Sequence, residues 1–278
     1  MESRKAQSPR LSVTIVVYNS PLAMLNQTLE SLFDASTYLL GAGLGEMRVQ
    51  LVDNCSSPAY REQLAQLLQD RAWPGLGLTL LDKNLGFGAG QNVALGGTVG
   101  DYHLILNPDV ELASDALSKG LQIMAGDPSI VLLSPFATGS DGEREFLCKR
   151  YPSVAVLGLR AFFPRLGQRF FPAMMSHYNM SDVCTGNAPV EIPLASGCFM
   201  LVRGAAFEQV GGFDESYFLY FEDFDLSLRL GKLGRLSFEP SVRIVHHGGY
   251  AASKGWRHLK LFASSALHFF KCHGWRWI

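Results

Sequence analysis

"LSVTIVVYNSPLAMLNQTLESLF", residues 11–33, decides how the chain is to be read. Its opening, Leu11 to Asn19, is dominated by β-branched residues and reads as a strand. At Pro21 the period changes. Leu22, Leu25, Leu29 and Leu32 share one helical face as far as Phe33, and proline suits a first helical turn. The unit then repeats. "RVQLVDN" (48–54) is a strand and "PAYREQLAQLLQD" (58–70) a helix; "LGLTLLDKN" (76–84) is a third strand, "GAGQNVALGGT" (88–98) a helix start, and "DYHLILNPDV" (101–110) a fourth strand. Strands alternating with helices imply an α/β fold with a mostly parallel sheet covered on both faces.

Ligands bind such sheets at the carboxyl ends of the strands. Polar groups collect there: Tyr18 and Asn19 after the first strand, Asp53 and Asn54 after the second, Asn84 after the third, and Asn107, Pro108 and Asp109 after the fourth. Taken singly, each is also a common turn or cap residue.

The second half is less regular. "CFMLVR" (198–203) reads as a strand, "GGFDES" (211–216) as a turn, and "SFEPSVRIVHHGG" (237–249) as a strand pair ending in two histidines. Tyr151 to Pro193, rich in Pro, Phe and Arg, reads as a substrate-side insertion of unassigned secondary structure, and a helix is expected from Lys254 onward.

Composition narrows the function. With 278 residues, 47% of them hydrophobic, the chain can bury a large core. Lysine and arginine number 24 against 25 acidic residues, so no global field attracts nucleic acid. Five cysteines, an odd number without a C-x-x-C pair, argue against a disulfide framework or zinc knuckle and fit a reducing cytoplasm. "MESRKAQSPR" at the start is no secretion signal, and no run reaches the roughly 18 apolar residues of a membrane span, so membrane contact is expected to be peripheral.

"SYFLYFEDFDLSLRLGKLG" (216–234) sets Glu222, Asp223 and Asp225 directly after an aromatic block. From Phe224 the apolar spacing is near-helical, and Asp225 stands four residues before Arg229, so acids at a helix start explain Asp225 well. They explain Glu222 and Asp223 less well. Carboxylates on the border of a desolvated segment suit general-base chemistry. "NLGFGAGQN" (84–92) fails the dinucleotide fingerprint, because the last glycine would fall at Gln91 and the loop follows the third strand. Its glycines still let backbone approach a ligand, although a plain glycine-rich turn has the same composition. Asp109 in "LNPDVEL" offers the hard oxygen a divalent cation prefers when a diphosphate supplies further ligands, and N-P-D is also an ordinary turn. The histidines of "IVHHGG" would tilt such a site from magnesium towards manganese.

Together "VVYN", "VDNCSS", "NLGFGAGQN", "LNPDV", the long "SGCFMLVRGAAFEQVGGFDESYFLYFEDFDLSLR" and "IVHHGGYAAS" resemble the family 2 inverting glycosyltransferases, in particular their rhamnosyltransferase-like branch, over about residues 11–273. The resemblance implies a GT-A fold, an αβα sandwich binding a nucleoside diphosphate sugar and a divalent cation, Mg2+ or Mn2+. It implies a nucleotide-sugar half over about 11–110, an acceptor and catalytic half over about 111–253, and a C-terminal helical segment, 254–278. Tyr18 and Asn19 would line the nucleotide pocket and Asp53 the base or ribose; Asn84, Gly88 and Asn92 would hold the nucleoside and sugar. Asp109 matches the last aspartate of the Asp-x-Asp motif, with Asn107 in place of the first. His246 matches the family histidine, His247 fills a variable place, and Asp223 matches the catalytic base, with Glu222 as alternate.

The implied activity is cytoplasmic, metal-dependent transfer of L-rhamnose from dTDP-L-rhamnose onto a saccharide on a lipid carrier or lipopolysaccharide core. Three alternatives stay open: a UDP-sugar donor, a sugar nucleotidyltransferase, and a non-catalytic sugar-nucleotide-binding protein. "YNSPLAML" (18–25) is not a pyrophosphorylase loop, and a binding protein would need no carboxylate at Asp223. Two stretches mix basic and aromatic residues as an interfacial element does: "LRAFFPRLGQRFFP" (159–172), with Arg160, Arg165 and Arg169, and the C-terminal "GWRHLKLFASSALHFFKCHGWRWI" (255–278). A helix packed on its own core has the same composition.

Overall fold

The computed structural model of the chain describes residues 10–43, 45–69, 71, 73–97, 99–248 and 255–278. The expected N-terminal lead and the boundary at 253/254 lie outside the described residues, as does the side chain of Arg257.

The opening unit forms β1 (Arg10–Val17) and α1 (Leu22–Gly41). The helix runs past Phe33 because Ala35, Ser36 and Leu39 continue the buried stripe of Leu25, Leu29 and Leu32. Each fully buried leucine contributes on the order of 1.5–3 kcal/mol. Next come β2 (Glu46–Asp53), α2 (Pro58–Gln69), β3 (Leu76–Leu80) and a short α3 (Phe87–Gln91) that tightens into a 3-10 turn over Asn92–Gly96. The expected fourth strand divides. β4 (Tyr102–Leu106) lies beside β1, and Pro108 sits in the turn that sends β5 (Val110–Leu112) to the far edge of the sheet, against β12 (Arg235–His246). That strand is continuous where a pair was expected. Pro240, which cannot donate a ladder hydrogen bond, falls in a register shift between Glu239 and Arg243, and β12 stays paired with β6 (Ile130–Gly139) on both sides of it.

The remaining elements are α4 (Ala116–Gly126), β7 (Arg144–Glu145), β8 (Cys148–Lys149), α5 (Val154–Phe162), α6 (Pro164–Phe170), α7 (Pro172–Asn179), β9 (Val190–Glu191), β10 (Leu194–Ala195), β11 (Phe199–Arg203), α8 (Gly204–Gln209), α9 (Glu222–Leu230) and α10 (Gly255–His273). Among the described residues the main sheet runs β3-β2-β1-β4-β11-β6-β12-β5, with β7 on β6 and β9 on β12; β8 and β10 pair separately. It is parallel from β3 to β4, while β11 is antiparallel to both β4 and β6. One core lies under α1 and α4, where Leu29, Leu32, Leu117 and Leu121 meet Leu104 and Leu201. A second lies under α8 and α9, where Phe207, Leu226 and Leu230 meet Ile105 and Met200. The result is a sandwich of helices about a mixed sheet. A third cluster joins α5, α7, α9 and α10 through Leu157, Tyr178, Phe221, Phe269 and Phe270.

Candidate active site

Two residues past the ends of β1 and β2 the backbone turns left-handed, at Asn19 (φ 49°) and Cys55 (φ 64°). Non-glycine residues rarely adopt that conformation, and here it folds polar groups over the carboxyl edge of the sheet. Tyr18 stands exposed there. The Asn19 N–H donates to Ser56 Oγ at 2.9 Å, and its Oδ1 accepts from the Ser57 N–H at 3.0 Å. Asp53 is wholly buried; its Oδ2 accepts from Arg61 Nε at 2.6 Å, and both carboxylate oxygens face the Ser56 N–H. It anchors the wall of this edge with its charge already compensated.

The glycine-rich loop approaches protein. A Cβ on Gly86, at φ +91°, would meet Phe218 O at 2.2 Å, and one on Gly88 would meet Phe213 Cβ at 2.9 Å. The amides around it act as staples. Asn54 Nδ2 donates to Asn84 Oδ1 and to Gly86 O, and Asn54 Oδ1 accepts from the Leu85 N–H. Asn92 accepts from the Phe213 N–H at 2.8 Å and donates to Phe213 O and Glu215. Asn84, Gly88 and Asn92 thus lock the loop onto the segment that leads to the expected base.

That segment is strained. Tyr220 and Phe221 lie at φ 73° and 67°, held by the burial of Phe221, by Tyr220 Oη at 3.0 Å from His258 Nδ1, and by Leu219 O, which accepts from Ser265 Oγ. Helix α9 starts directly afterwards, at Glu222, two residues before the expected start. Asp225 serves the fold, bonded to Arg229 Nε at 2.7 Å and close to His273 Nε2 at 2.7 Å. Asp223 Oδ2 accepts from the Gly197 N–H at 3.0 Å and Oδ1 from its neighbour Phe224 N–H at 2.9 Å. Burial raises the pKa of both Glu222 and Asp223, and the charge of Asp223 raises Glu222 further. Glu222 Oε2 is buried without a hydrogen-bond partner. Both carboxyls line a cavity of about 220 Å³ with Tyr220, Phe221, Phe224, Lys149 and Arg160. A cavity of about 640 Å³ lies at the amino ends of β1, β2 and β3, away from Glu222 and Asp223.

The turn after β4 adjoins Asp223 through two residues. Cys198 O accepts from the Asn107 N–H at 2.9 Å, and Gly197, next to it, holds Asp223. The buried Cys198 thiol has its pKa pushed up to about 12 by burial, with the charges of Asp109, Glu145 and Asp223 adding to it. Asp109 Oδ1 is buried and lacks a hydrogen-bond partner; His246 Nε2 lies 3.7 Å away, while His246 Nδ1 is 2.6 Å from Glu145 Oε2. A carboxylate behind an imidazole whose other nitrogen faces a vacant oxygen is the arrangement of a supported metal ligand. Among the described residues no three His, Cys, Asp or Glu side chains converge as a complete metal cage. His247 faces elsewhere, to Glu111 at 2.6 Å. Sequence reasoning singled out Asp109, His246 and Asp223 and missed Glu145 and Gly197, which act only through distant pairings.

Residues 12–211 match the family model described as Glycosyl transferase family 2. Over 222 residues, 74% of this chain and 68% of the relative, the chain is 31% identical to the N-acetylglucosaminyl-diphospho-decaprenol L-rhamnosyltransferase of Mycobacterium tuberculosis (strain ATCC 25618 / H37Rv). It is 27% identical to rhamnosyltransferase WbbL of Escherichia coli (strain K12) over 58% of this chain and 61% of that one. Among solved structures, the mannosyltransferase PcManGT from Pyrobaculum calidifontis in complex with GDP-Man and Mn2+ matches with a TM-score of 0.58 at 19% identity, over 92% of this chain and 61% of that chain. S. aureus TarS 1–349 in complex with UDP-GlcNAc matches with a TM-score of 0.58 at 16% identity, over 94% and 66%. The chain therefore spans about two thirds, or somewhat less, of the length of these proteins, and the structural likeness gives the GT-A fold.

Proposed function

The chain belongs to glycosyl transferase family 2, and on that premise we propose that it moves L-rhamnose from dTDP-L-rhamnose, with inversion, onto a saccharide carried by a lipid or a lipopolysaccharide core. The position of Asp223 carries this reading: a carboxylate oriented by two backbone N–H groups, raised in pKa, at the wall of a cavity beside the turn that bears Asp109. The two rhamnosyltransferase relatives support the sugar, and the mycobacterial relative's name supports a lipid-linked acceptor.

In the reaction Asp223 takes the proton of the acceptor hydroxyl as that oxygen attacks the anomeric carbon and the nucleoside diphosphate departs. The Gly197 and Phe224 N–H groups hold the carboxylate in line. Phe221, Phe224 and Tyr220 wall the cavity and limit water, which disfavours donor hydrolysis. Tyr18 and Asn19 edge the nucleoside site, with Asp53, Asn84, Gly88, Asn92 and Asn107 fixing its walls. A divalent cation, Mg2+ or Mn2+, fits Asp109 and His246 and, when bound, would offset charge on the leaving diphosphate.

The work site is the cytoplasmic membrane surface. No described helix is long and apolar enough to cross a membrane. Phe162 (61% exposed), Phe163, Leu166, Phe170 (62%) and Phe171 stand out on α5, α6 and the single residues that precede α6 and α7, while α10 buries Phe269 and Phe270. Residues 146–181 include Arg160, Arg165 and Arg169 and no Asp or Glu, a composition suited to an anionic bilayer. Co-sedimentation with anionic vesicles should weaken with salt and with Phe170→Ser/Phe171→Ser; indifference to both would overturn the membrane contact.

A panel of nucleotide sugars tested by thermal shift, with and without Mg2+ or Mn2+, examines the donor. Selective stabilisation by dTDP-L-rhamnose, about 2.7 kcal/mol at a hundredfold excess over Kd, is expected. Preference for a UDP-sugar would move the donor assignment, and indifference to every donor would remove the transferase reading.

A further inference from the structure

Lys149, at the end of β8, and Arg160, in the last turn of α5, stand beside the base with no carboxylate of their own. Both line the 220 Å³ cavity that contains Glu222 and Asp223. Both also line an adjoining cavity of about 390 Å³ that reaches Gln168, Met175 and Asn179 beneath α6 and α7. They share one aromatic ring: Lys149 Nζ is 6.0 Å and Arg160 Cζ 5.0 Å from the centroid of Tyr178.

Their partners are neutral. Lys149 Nζ donates to Phe146 O, and Arg160 Nη1 to Asn179 Oδ1 at 2.8 Å. Among the described residues neither forms an ion pair. Of the carboxylates that line the two cavities, Glu145 is engaged with His246 and Asp223 with the Gly197 and Phe224 N–H groups, while burial and the Asp223 charge raise the pKa of Glu222 and favour its neutral form. Two cations gathered over one ring repel each other and lose hydration, and burial with the Arg160 charge already draws the Lys149 pKa down to about 8. A dianionic group between them would relieve both costs, and a guanidinium fork with a mobile ammonium is the pairing that phosphate oxygens favour.

We propose that Lys149 and Arg160 bind the phosphates of the acceptor, a prenyl-diphosphate-linked saccharide, with its chain leaving along the exposed phenylalanines of α5 and α6. This rests on the transferase reading above and names the acceptor class for the same site. The basic pair joins the base cavity on one side and the helices bearing Phe162, Phe163 and Phe170 on the other, the order in which such an acceptor presents sugar, diphosphate and lipid.

Geranyl diphosphate, which carries no sugar, is the probe, titrated calorimetrically with saturating dTDP and Mg2+ present to fill the donor side. Saturable binding is expected, weakened about tenfold or more by Arg160→Gln and largely kept by Arg160→Lys, the size of one charge-assisted contact. Inorganic pyrophosphate should bind more weakly than the prenyl ester, and geraniol should not compete. Binding that is absent with dTDP present, or equal in wild type and Arg160→Gln, would overturn the proposal. In turnover assays Arg160→Gln should raise KM for a prenyl-diphosphate acceptor about tenfold more than KM for the octyl glycoside of the same sugar; equal rises would mean a merely structural arginine. No transfer to any acceptor while geranyl diphosphate binds as expected would defeat the transferase reading and leave the anion site standing.

Discussion

Glu145 Oε2 lies 2.6 Å from His246 Nδ1, and this contact leaves the opposite ring nitrogen facing Asp109. The two residues stand on β7 and β12, both of which pair with β6. Asp109→Ala and His246→Ala should each weaken cation-dependent donor binding, and Glu145→Gln should do so about tenfold, the low end for a group that orients a ligand. His247→Ala, on a ring paired with Glu111, should have less effect. Calorimetric titration of dTDP with and without Mn2+ measures all four, and equal losses at the two histidines would erase the distinction.

Asp223→Asn keeps the shape of the base and removes its basicity. Transfer should fall by roughly a hundredfold or more with donor affinity nearly unchanged. Because burial raises the Asp223 pKa, the acid limb of the wild-type kcat/KM profile should lie above the ordinary carboxyl range of about 4. A profile flat down to that range would argue for a different base, with Glu222 next in line.

Glu222 has its folded-state pKa raised, so its stabilising contribution is complete below the unfolded value and is lost as pH rises through the folded one. Glu222→Gln should therefore match wild type in stability near pH 4 and exceed it at pH 8, by on the order of 1–3 kcal/mol, the cost of a poorly satisfied buried polar group. Urea denaturation across that range gives the answer. A constant difference at every pH would mean that titration of Glu222 plays no part.

Gly86→Ala should cost about 1–3 kcal/mol, because a Cβ there meets Phe218 O at 2.2 Å on a backbone at positive φ. Activity should fall with it, since Phe218 lies two residues before the strained pair Tyr220 and Phe221, which leads into Glu222. Gly96→Ala, with open space around its Cβ, is the control. Thermal denaturation that does not separate the two variants would refute the packing role.

The strand–helix alternation was legible because β1 and β2 set Leu, Met, Val and Ile at alternate positions, β4 is apolar but for His103, and α1 carries an unbroken leucine stripe. Helices α5 to α7 were not. Pro164 and Pro172 look like interruptions in the sequence and in fact begin helices, where a missing N–H costs nothing. Asp109, His246 and Asp223 could be singled out because each ends or begins an element within a short distinctive motif. Glu145 and Gly197 carry no local signal: one reaches His246 across 101 residues, the other Asp223 across 26. Nor does a glycine's spacing say whether its closest neighbour is a ligand or Phe218.

Strand β11 is inserted between β4 and β6, so the order of assembly departs from the order of synthesis. A nascent chain that ends before Phe199 leaves the edges of β4 and β6 unpaired, and open edges are what chaperones and aggregation act upon. The strand that closes the gap is preceded by Gly197 and Cys198, which contact Asp223 and the Asn107 turn. Insertion of β11 between β4 and β6 and the seating of Asp223 beside the Asn107 turn are therefore coupled. On the proposed role of Asp223, a chain that has not yet placed β11 lacks the geometry to squander activated sugar on water.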